Sequence, residues 1–198
     1  NGWKKNLIPH CLAGIADILN SRDWKPLVYE DLKSPDNITY WNAKQAAKHL
    51  RIDLWATVWH RLQVNPADDS AWFDVTYYSK TEHAGQIIDF AIRNLPLDEL
   101  ATGPKDSLGL GAAYVGHHCL DTMISYLENY PRQGEKIILT GLKSPVTRNR
   151  NMTIRVLNKW KRANWSPQIE KELMHLKNIE PNKETRKDIE KLLNGQNI

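Results

Sequence analysis

The sequence is short of several features that would narrow its class at once. Its 198 residues include only two cysteines, Cys11 and Cys119, and no CxxC pair, so neither a disulfide framework nor a cysteine zinc site is indicated. No apolar run approaches the roughly 20 residues that a membrane helix needs, and no signal peptide is visible. These absences favour a protein of the reducing cytoplasm that does not enter a membrane.

Familiar catalytic motifs are also missing. The chain contains no GxSxG and no HExxH, and Gly109-Leu110-Gly111 is not followed by the Lys-Ser/Thr of a phosphate-binding loop. Asp53 stands near two tryptophans, as an acid of a helical-repeat DNA glycosylase would, but helix capping or surface exposure is the simpler interpretation. The catalytic residues are therefore unknown, no metal site or cofactor is predicted, and a non-enzymatic role is preferred to an enzymatic one.

The residues that are present favour helices. Hydrophobic residues make up 41% of the chain, and they recur at helical spacing over 43–62, 84–91 and 115–127. We expect Asn42 to cap the first of these helices, with a possible break near Asp53, and Asn182 to begin the last helix. Ser144-Pro145 and Ser166-Pro167 are typical helix starts, with Ser as the cap and Pro in the first turn. Residues 21–37 and 95–111 are predicted to be loops.

Two segments are ambiguous. Residues 71–78 alternate like a strand, but their helical neighbours favour a helix, and residues 135–142 fit a short helix or a strand. Neither segment requires a sheet, so residues 1–198 are predicted to form a single all-helical domain of roughly eight to ten helices, arranged as a bundle or a solenoid. Because the chain begins with Asn1 rather than Met, we allow for a fragment of a longer protein.

One segment carries a family resemblance. Arg150 is followed by Thr153, then by Val156 and Leu157, and then by the bulky Trp160. Residues 144–160 thereby resemble the second helix of a HEAT repeat, and 44–50 give a fainter echo. The resemblance implies stacked antiparallel helical hairpins, an α-α superhelix with a concave binding surface, but no particular chemistry. No repeat of about 40 residues recurs cleanly along the chain.

The basic residues are concentrated in the last quarter of the chain. Residues 146–198 hold 12 Lys and Arg against 6 Asp and Glu, out of 27 and 23 in the whole chain. At 100° per residue four of these cations share one side of a helix, where a phosphate ligand would relieve their repulsion. Trp165 is placed to stack on a base, whereas Trp160 belongs to the apolar side. The candidate nucleic-acid or phosphate-binding residues are Arg148, Arg155, Lys159, Arg162 and Trp165. The alternative is a solvated face neutralised by acids such as Glu170 or Glu172.

A second polar group lies on another predicted helix. His117 and Asp121 are four residues apart and share a face, as metal ligands or an orienting pair would. Further ligands would have to come from elsewhere, with Glu82 and His83 as the candidates. We prefer a polar helix face with one interfacial histidine.

Taken together, these patterns predict a binding or scaffolding module that recognises another macromolecule, with a protein as the preferred partner. The alternative is a nucleic-acid-binding helical-repeat protein, with DNA repair as one option, that uses the basic C-terminal helices. A metal or small-molecule enzyme is the third class, and no membrane partner is expected.

Overall fold

The computed structural model describes residues 14, 17, 18 and 21–198. Trp3 and Cys11 lie outside the described residues. Throughout 21–198 the regular structure is helical and no strand is present, apart from one isolated bridge between Ser107 and Val146. The all-helical class is therefore confirmed. None of the described helices combines the length and the apolar character that crossing a bilayer requires.

Eleven α-helices occupy residues 21–198. They are α1 (Lys25–Asp31), α2 (Asn37–His49), α3 (Trp55–Val64), α4 (Asp69–Tyr78), α5 (Ala84–Asn94), α6 (Leu97–Leu100), α7 (Val115–Leu127), α8 (Glu135–Leu142), α9 (Thr147–Trp160), α10 (Pro167–Ile179) and α11 (Lys183–Leu193). Short 3₁₀ turns occupy Thr81–His83, Ala112–Tyr114 and Arg162–Asn164.

The chain divides into two compact units, Asn1–Thr57 and Val58–Ile198. In the first unit α1 packs against α2, so the loop predicted over 21–37 is wrong for Lys25–Asp31. Pro26 lies in the first turn of α1, where its missing N–H is no loss. The predicted cap at Asn42 is also wrong, because α2 already begins after Asp36, whose carboxylate accepts a hydrogen bond from the amide of Thr39 at 2.7 Å.

The predicted break near Asp53 is confirmed. Helix α2 ends at His49, Arg51 adopts a φ of 54°, and α3 begins at Trp55. The Asp53 carboxylate accepts a hydrogen bond from the Trp55 amide at 2.9 Å. Asp53 therefore acts as a helix cap, as its simpler interpretation anticipated.

The second unit is built around α7, which packs against α4, α8 and α9. Its predicted apolar face is buried, with Cys119, Leu120, Met123, Ile124 and Leu127 all at most 1% exposed. The two ambiguous segments are helices, α4 and α8. Both extend beyond one turn and bury apolar side chains, such as Trp72 and Ile137, against neighbouring helices.

Contacts between four pairs of helices advance together along both members, so the helices of each pair point in the same direction. The contacts involve residues within these helices or one or two positions beyond their ends. They are Asp69–His118 and Ser79–Tyr126 for α4 and α7, Asp121–Arg148 and Glu128–Lys159 for α7 and α9, Asn151–Thr185 and Arg162–Leu193 for α9 and α11, and Glu135–Ser166 and Lys143–Glu172 for α8 and α10.

The helix starts agree only in part with the sequence pattern. Ser166 and Asn182 cap α10 and α11 as predicted. Ser144 does not cap a helix, since α9 begins at Thr147 and the Ser144 hydroxyl donates to the buried Asn149 side chain at 2.7 Å. The predicted loop 95–111 contains a single helical turn, α6, which buries Leu97 and Leu100.

Candidate functional site

The exposed surface of α4, α7 and α9 carries two grooves, and we call this surface the α4–α7–α9 face. The first groove, of about 370 Å³, is lined by residues that include Phe73, Thr76, Tyr77, Thr122, Ser125 and Met152. The second groove, of about 410 Å³, is lined by residues that include Leu108, Leu110, Arg148, Asn151, Met152 and Arg155. Met152 lines both grooves, so the two meet on α9.

Several large apolar side chains of the α4–α7–α9 face are exposed to solvent. Helix α4 turns Trp72 and Val75 into the core, but Phe73 and Tyr77 remain 60% and 62% exposed. Their spacing of four residues places them on one side of the helix, where the rings stack with centroids 6.0 Å apart. Beside the second groove, Leu108 and Leu110 are 75% and 68% exposed. Exposed apolar side chains grouped around adjoining grooves are typical of interaction sites.

The loop that carries the two leucines is held in place on both sides. The Thr147 amide donates to the Ser107 carbonyl at 3.0 Å. Gly109 has a φ of 64°, and a Cβ there would lie 2.6 Å from a Val146 methyl group, so only glycine fits. A nitrogen of the His118 ring donates to the Gly109 carbonyl at 3.2 Å. Leu108 and Leu110 are thus exposed from an anchored loop.

Three of the four predicted cations are ion-paired. Arg148 Nε lies 2.5 Å from an Asp121 carboxylate oxygen, Lys159 Nζ lies 2.6 Å from Glu128, and Arg162 pairs with Glu170. Arg155 is exposed and makes no ion pair within residues 21–198. The structure places Arg148, Arg155 and Lys159 along α9, while Arg162 lies in the turn that follows.

Of the acids named as an alternative, Glu170 neutralises Arg162 as anticipated. Glu172 instead lies 3.2 Å from Lys143. The other two acids are Asp121 on α7 and Glu128, which directly follows α7. They precede their partners by 27 and 31 residues.

The two tryptophans near the basic residues differ in position. Trp160 is 1% exposed and its indole N–H donates to the Leu127 carbonyl at 2.8 Å, which confirms it as a core residue. Trp165 is half-buried, and its N–H donates to the Leu157 carbonyl at 2.9 Å. It lines a separate cavity of about 270 Å³, together with Arg132 and Glu135. Trp165 lines neither groove of the α4–α7–α9 face.

A buried polar network lies beneath this face. His117 Nδ1 is 2.9 Å from the Asn149 side-chain oxygen and 3.2 Å from the Ser144 hydroxyl, and the Asn149 amide donates to Asp121. Burial lowers the pKa of His117 and raises the pKa of Asp121, the latter opposed by Arg148. Ser144 is fully buried and its hydroxyl donates to Asn149. These contacts support a structural role rather than an activated nucleophile.

The residues considered for a metal do not converge. The oxygens of Asp121 accept from Arg148 and Asn149, while Glu82 and His83 contact each other at 3.9 Å. Within the part of the chain that the structure describes, no three His, Cys, Asp or Glu side chains are grouped so as to hold a metal ion. The thiol of Cys119 is buried, which raises its pKa to about 12.

A buried ion pair ties this network to the following helices. Arg150 and Glu180 are both 0% exposed, and two guanidinium nitrogens each lie 2.6 Å from a carboxylate oxygen. A third nitrogen of Arg150 donates to the Ser144 carbonyl at 2.8 Å. The sequence indicated Arg150 only as part of the HEAT-like pattern and did not indicate its partner.

The groove residues were not predicted from the sequence, although two features of the sequence pointed to them. Apolar residues surround α4 instead of forming one stripe, with Trp72, Phe73, Val75 and Tyr77 in close succession. Two leucines, large apolar side chains, flank Gly109 in a segment that was predicted to be a loop. Both signals indicate apolar side chains that the domain's own core does not require.

Comparisons with known protein families, with curated proteins and with solved structures find no match.

Proposed function

We propose that the second unit is an α-solenoid-like scaffold that binds another protein on its α4–α7–α9 face. In a solenoid, equivalent helices of successive hairpins lie side by side and point the same way. The codirectional pairs α4–α7, α7–α9 and α9–α11, with α8–α10 on the other side of the hairpins, support this arrangement. The HEAT-like pattern of residues 144–160, which spans α9, supports it as well.

The sequence interval between the later equivalent helices, α7, α9 and α11, is that of short hairpins. Contacts between α7 and α9 and between α9 and α11 join residues 27 to 34 positions apart. That spacing is shorter than the roughly 40 residues of a HEAT repeat. We therefore propose a HEAT-like hairpin array with shortened units.

The observation that carries the binding proposal is the exposure of Phe73, Tyr77, Leu108 and Leu110 around two grooves that meet at Met152. Burying one such side chain stabilises a complex by about 1.5–3 kcal/mol. Because the leucine loop is anchored by Val146 and His118, little ordering cost opposes binding. The arrangement supports a partner segment that lies across both grooves.

Nucleic-acid binding, with or without repair chemistry, is the second candidate. Exposed Arg155 would contribute one phosphate contact. Arg148 and Lys159, however, are neutralised by Asp121 and Glu128, and those carboxylates would repel a phosphate backbone. A protein partner is therefore preferred.

The proposal can be tested without knowing the natural partner. Random 16-residue peptides displayed on phage are selected on the purified chain, and selected peptides are synthesised and titrated by fluorescence anisotropy. Replacing both leucines, Leu108→Ser with Leu110→Ser, is expected to weaken binding about tenfold or more, because two apolar contacts are lost. The matched control is Met174→Ser, which removes an exposed apolar side chain of α10 that lines neither groove. It should leave the affinity unchanged.

Two results would count against this function. One is the absence of selectable peptides, and the other is an equal loss in the leucine and Met174 variants. A labelled random RNA and a 20-base-pair duplex DNA are titrated in parallel. Tight binding of either that falls steeply with salt and is lost on Arg155→Glu with Lys159→Glu would favour the nucleic-acid alternative.

A further inference from the structure

We propose that the segment bound by the α4–α7–α9 face is acidic, and that Arg155 binds one of its carboxylates between apolar side chains. This inference rests on the proposed function and specifies the chemistry of the partner. It is drawn from the charge pattern of α7 and α9, which leaves one cation unmatched in the second groove.

The two helices form an incomplete charge ladder. Asp121 on α7 and Glu128, the residue directly after α7, are seven positions apart and lie on the same side, with Ser125 between them. On α9, Arg148 pairs with the first acid and Lys159 with the second.

Arg155 stands between these two cations, one turn before Lys159 on the same stripe of α9. The position between the two acids is held by the neutral Ser125. Within residues 21–198 no carboxylate pairs with Arg155, although acids neutralise the cations on either side of it.

The surroundings of Arg155 define the kind of anion that fits. Its guanidinium presents a planar fork of N–H donors that matches a carboxylate in a bidentate manner. Leu108, Leu110 and Met152 line the same groove. A bound segment that covers these apolar side chains excludes water, and the ion pair then contributes more than it would in open solvent.

A polyanion fits the same place less well. Asp121 and Glu128 flank the site and would repel successive phosphates of a nucleic acid. A peptide places a single carboxylate at Arg155 and sets apolar side chains against the leucines on one side and Phe73 and Tyr77 on the other. The two grooves, of about 370 and 410 Å³, accommodate side chains at both ends of such a segment.

The test compares two charge reversals in titrations with a selected synthetic peptide. Arg155→Glu is expected to weaken binding about tenfold or more, since a charge-assisted hydrogen bond becomes a repulsion. Lys171→Glu makes the same change of net charge at an exposed lysine of α10 that has no ion pair within residues 21–198. It should change the affinity less than about twofold, because a distant surface charge is screened.

A charge swap provides the decisive arm. The acidic residue of the peptide is replaced by lysine, and this peptide should bind Arg155→Glu more tightly than it binds the wild-type chain. Peptides that need Leu108 and Leu110 but respond equally to Arg155→Glu and Lys171→Glu would overturn the acidic-segment inference alone. Selected peptides that lack acidic residues would do the same. Peptides insensitive to the leucines would instead overturn the proposed function.

Discussion

The two sides of α9 place an arginine in opposite environments. On the buried side, the Arg150 guanidinium is fully enclosed and all three of its nitrogens donate hydrogen bonds. Two of them donate to the Glu180 carboxylate and one to the Ser144 carbonyl. On the exposed side, Arg155 has no ion-pair partner within residues 21–198. Burying a guanidinium without a counterion is too costly to tolerate, whereas an exposed one keeps its hydration. The difference separates a cation that maintains the fold from one available to a partner.

Breaking the buried pair should have the largest effect. Glu180→Ala leaves the Arg150 guanidinium charged and uncompensated, so the free energy of unfolding is expected to fall by about 3–5 kcal/mol. Glu184→Ala is the matched control, because it removes a fully exposed ion pair with Lys187 that water screens, and it should leave the free energy of unfolding nearly unchanged. Urea denaturation followed by circular dichroism measures both. Equal losses would erase the distinction between the two sides of α9.

The next effect concerns close packing on the buried side. A Cβ on Gly141 of α8 would overlap the Thr153 hydroxyl of α9 and approach an Ile124 methyl group at 2.9 Å. Gly141→Ala should therefore destabilise the chain by about 1–3 kcal/mol, less any gain in helix propensity.

Gly85→Ala is the control for this packing effect. Gly85 lies in α5, and its added Cβ meets nothing within 4 Å. The substitution should be neutral or stabilising by up to about 1 kcal/mol. If thermal denaturation shows that Gly85→Ala is less stable than Gly141→Ala, α8 and α9 do not approach each other as closely as described.

A smaller effect is expected in how the free energy of unfolding depends on pH. Burial lowers the pKa of His117 below its ordinary value of 6.5, so the unfolded chain binds a proton more readily than the folded one. Stability from this residue is present above pH 6.5 and is lost as the pH falls below it, by at most about 1.4 kcal/mol per pH unit.

His117→Gln removes this titration. Its free energy of unfolding should change less than that of the wild type between pH 7 and 5.5. Asp121 contributes with the opposite sign in both proteins, because its folded pKa is raised. Identical pH slopes for the two proteins would show that His117 is not buried in its neutral form.

The smallest effect is expected on the exposed side. Lys159→Ala breaks a pair in which the lysine and Glu128 are 54% and 45% exposed. Water already screens this pair, so the loss should be below about 1 kcal/mol in the same urea experiment. If Lys159→Ala lowered the free energy of unfolding as much as Glu180→Ala does, the exposed ion pairs between α7 and α9 would be essential to the fold.

Local signals in the sequence predicted much of the fold. The buried faces of α5 and α7 follow from helical spacing, and the caps Ser166 and Asn182 follow from residue type. Ser144 misled because a distant partner decided its role. Its hydroxyl is recruited by Asn149 and lies beside His117, 27 residues earlier. Helix α1 was missed because Pro26 and Pro35 suggested a loop, although Pro26 is compatible with the first turn of a helix.

Of the residues that form the candidate site, only the cations were predicted from the sequence. Arg148, Arg155 and Lys159 lie along one helix, and helical geometry was enough to place them together. Which of them is free could not be read from α9, because the acids are on α7 or directly after it, 27 and 31 residues away. The grooves combine residues of three helices and a loop. Contacts between α4 and α7 join residues 47 to 49 positions apart, whereas those between α7 and α9 and between α9 and α11 join residues 27 to 34 positions apart. A search at a fixed period therefore cannot align these helices.

The ion pair between Arg150 and Glu180 restricts how such a protein can be shortened. Arg150 belongs to α9, but its counterion follows α10 and is held there by the amide of Asn182 at 3.0 Å. Deleting the chain after α9 would leave a fully enclosed positive charge with no carboxylate to balance it. The last two helices are therefore not dispensable, and an evolutionary lineage could lose them only together with a replacement of the arginine.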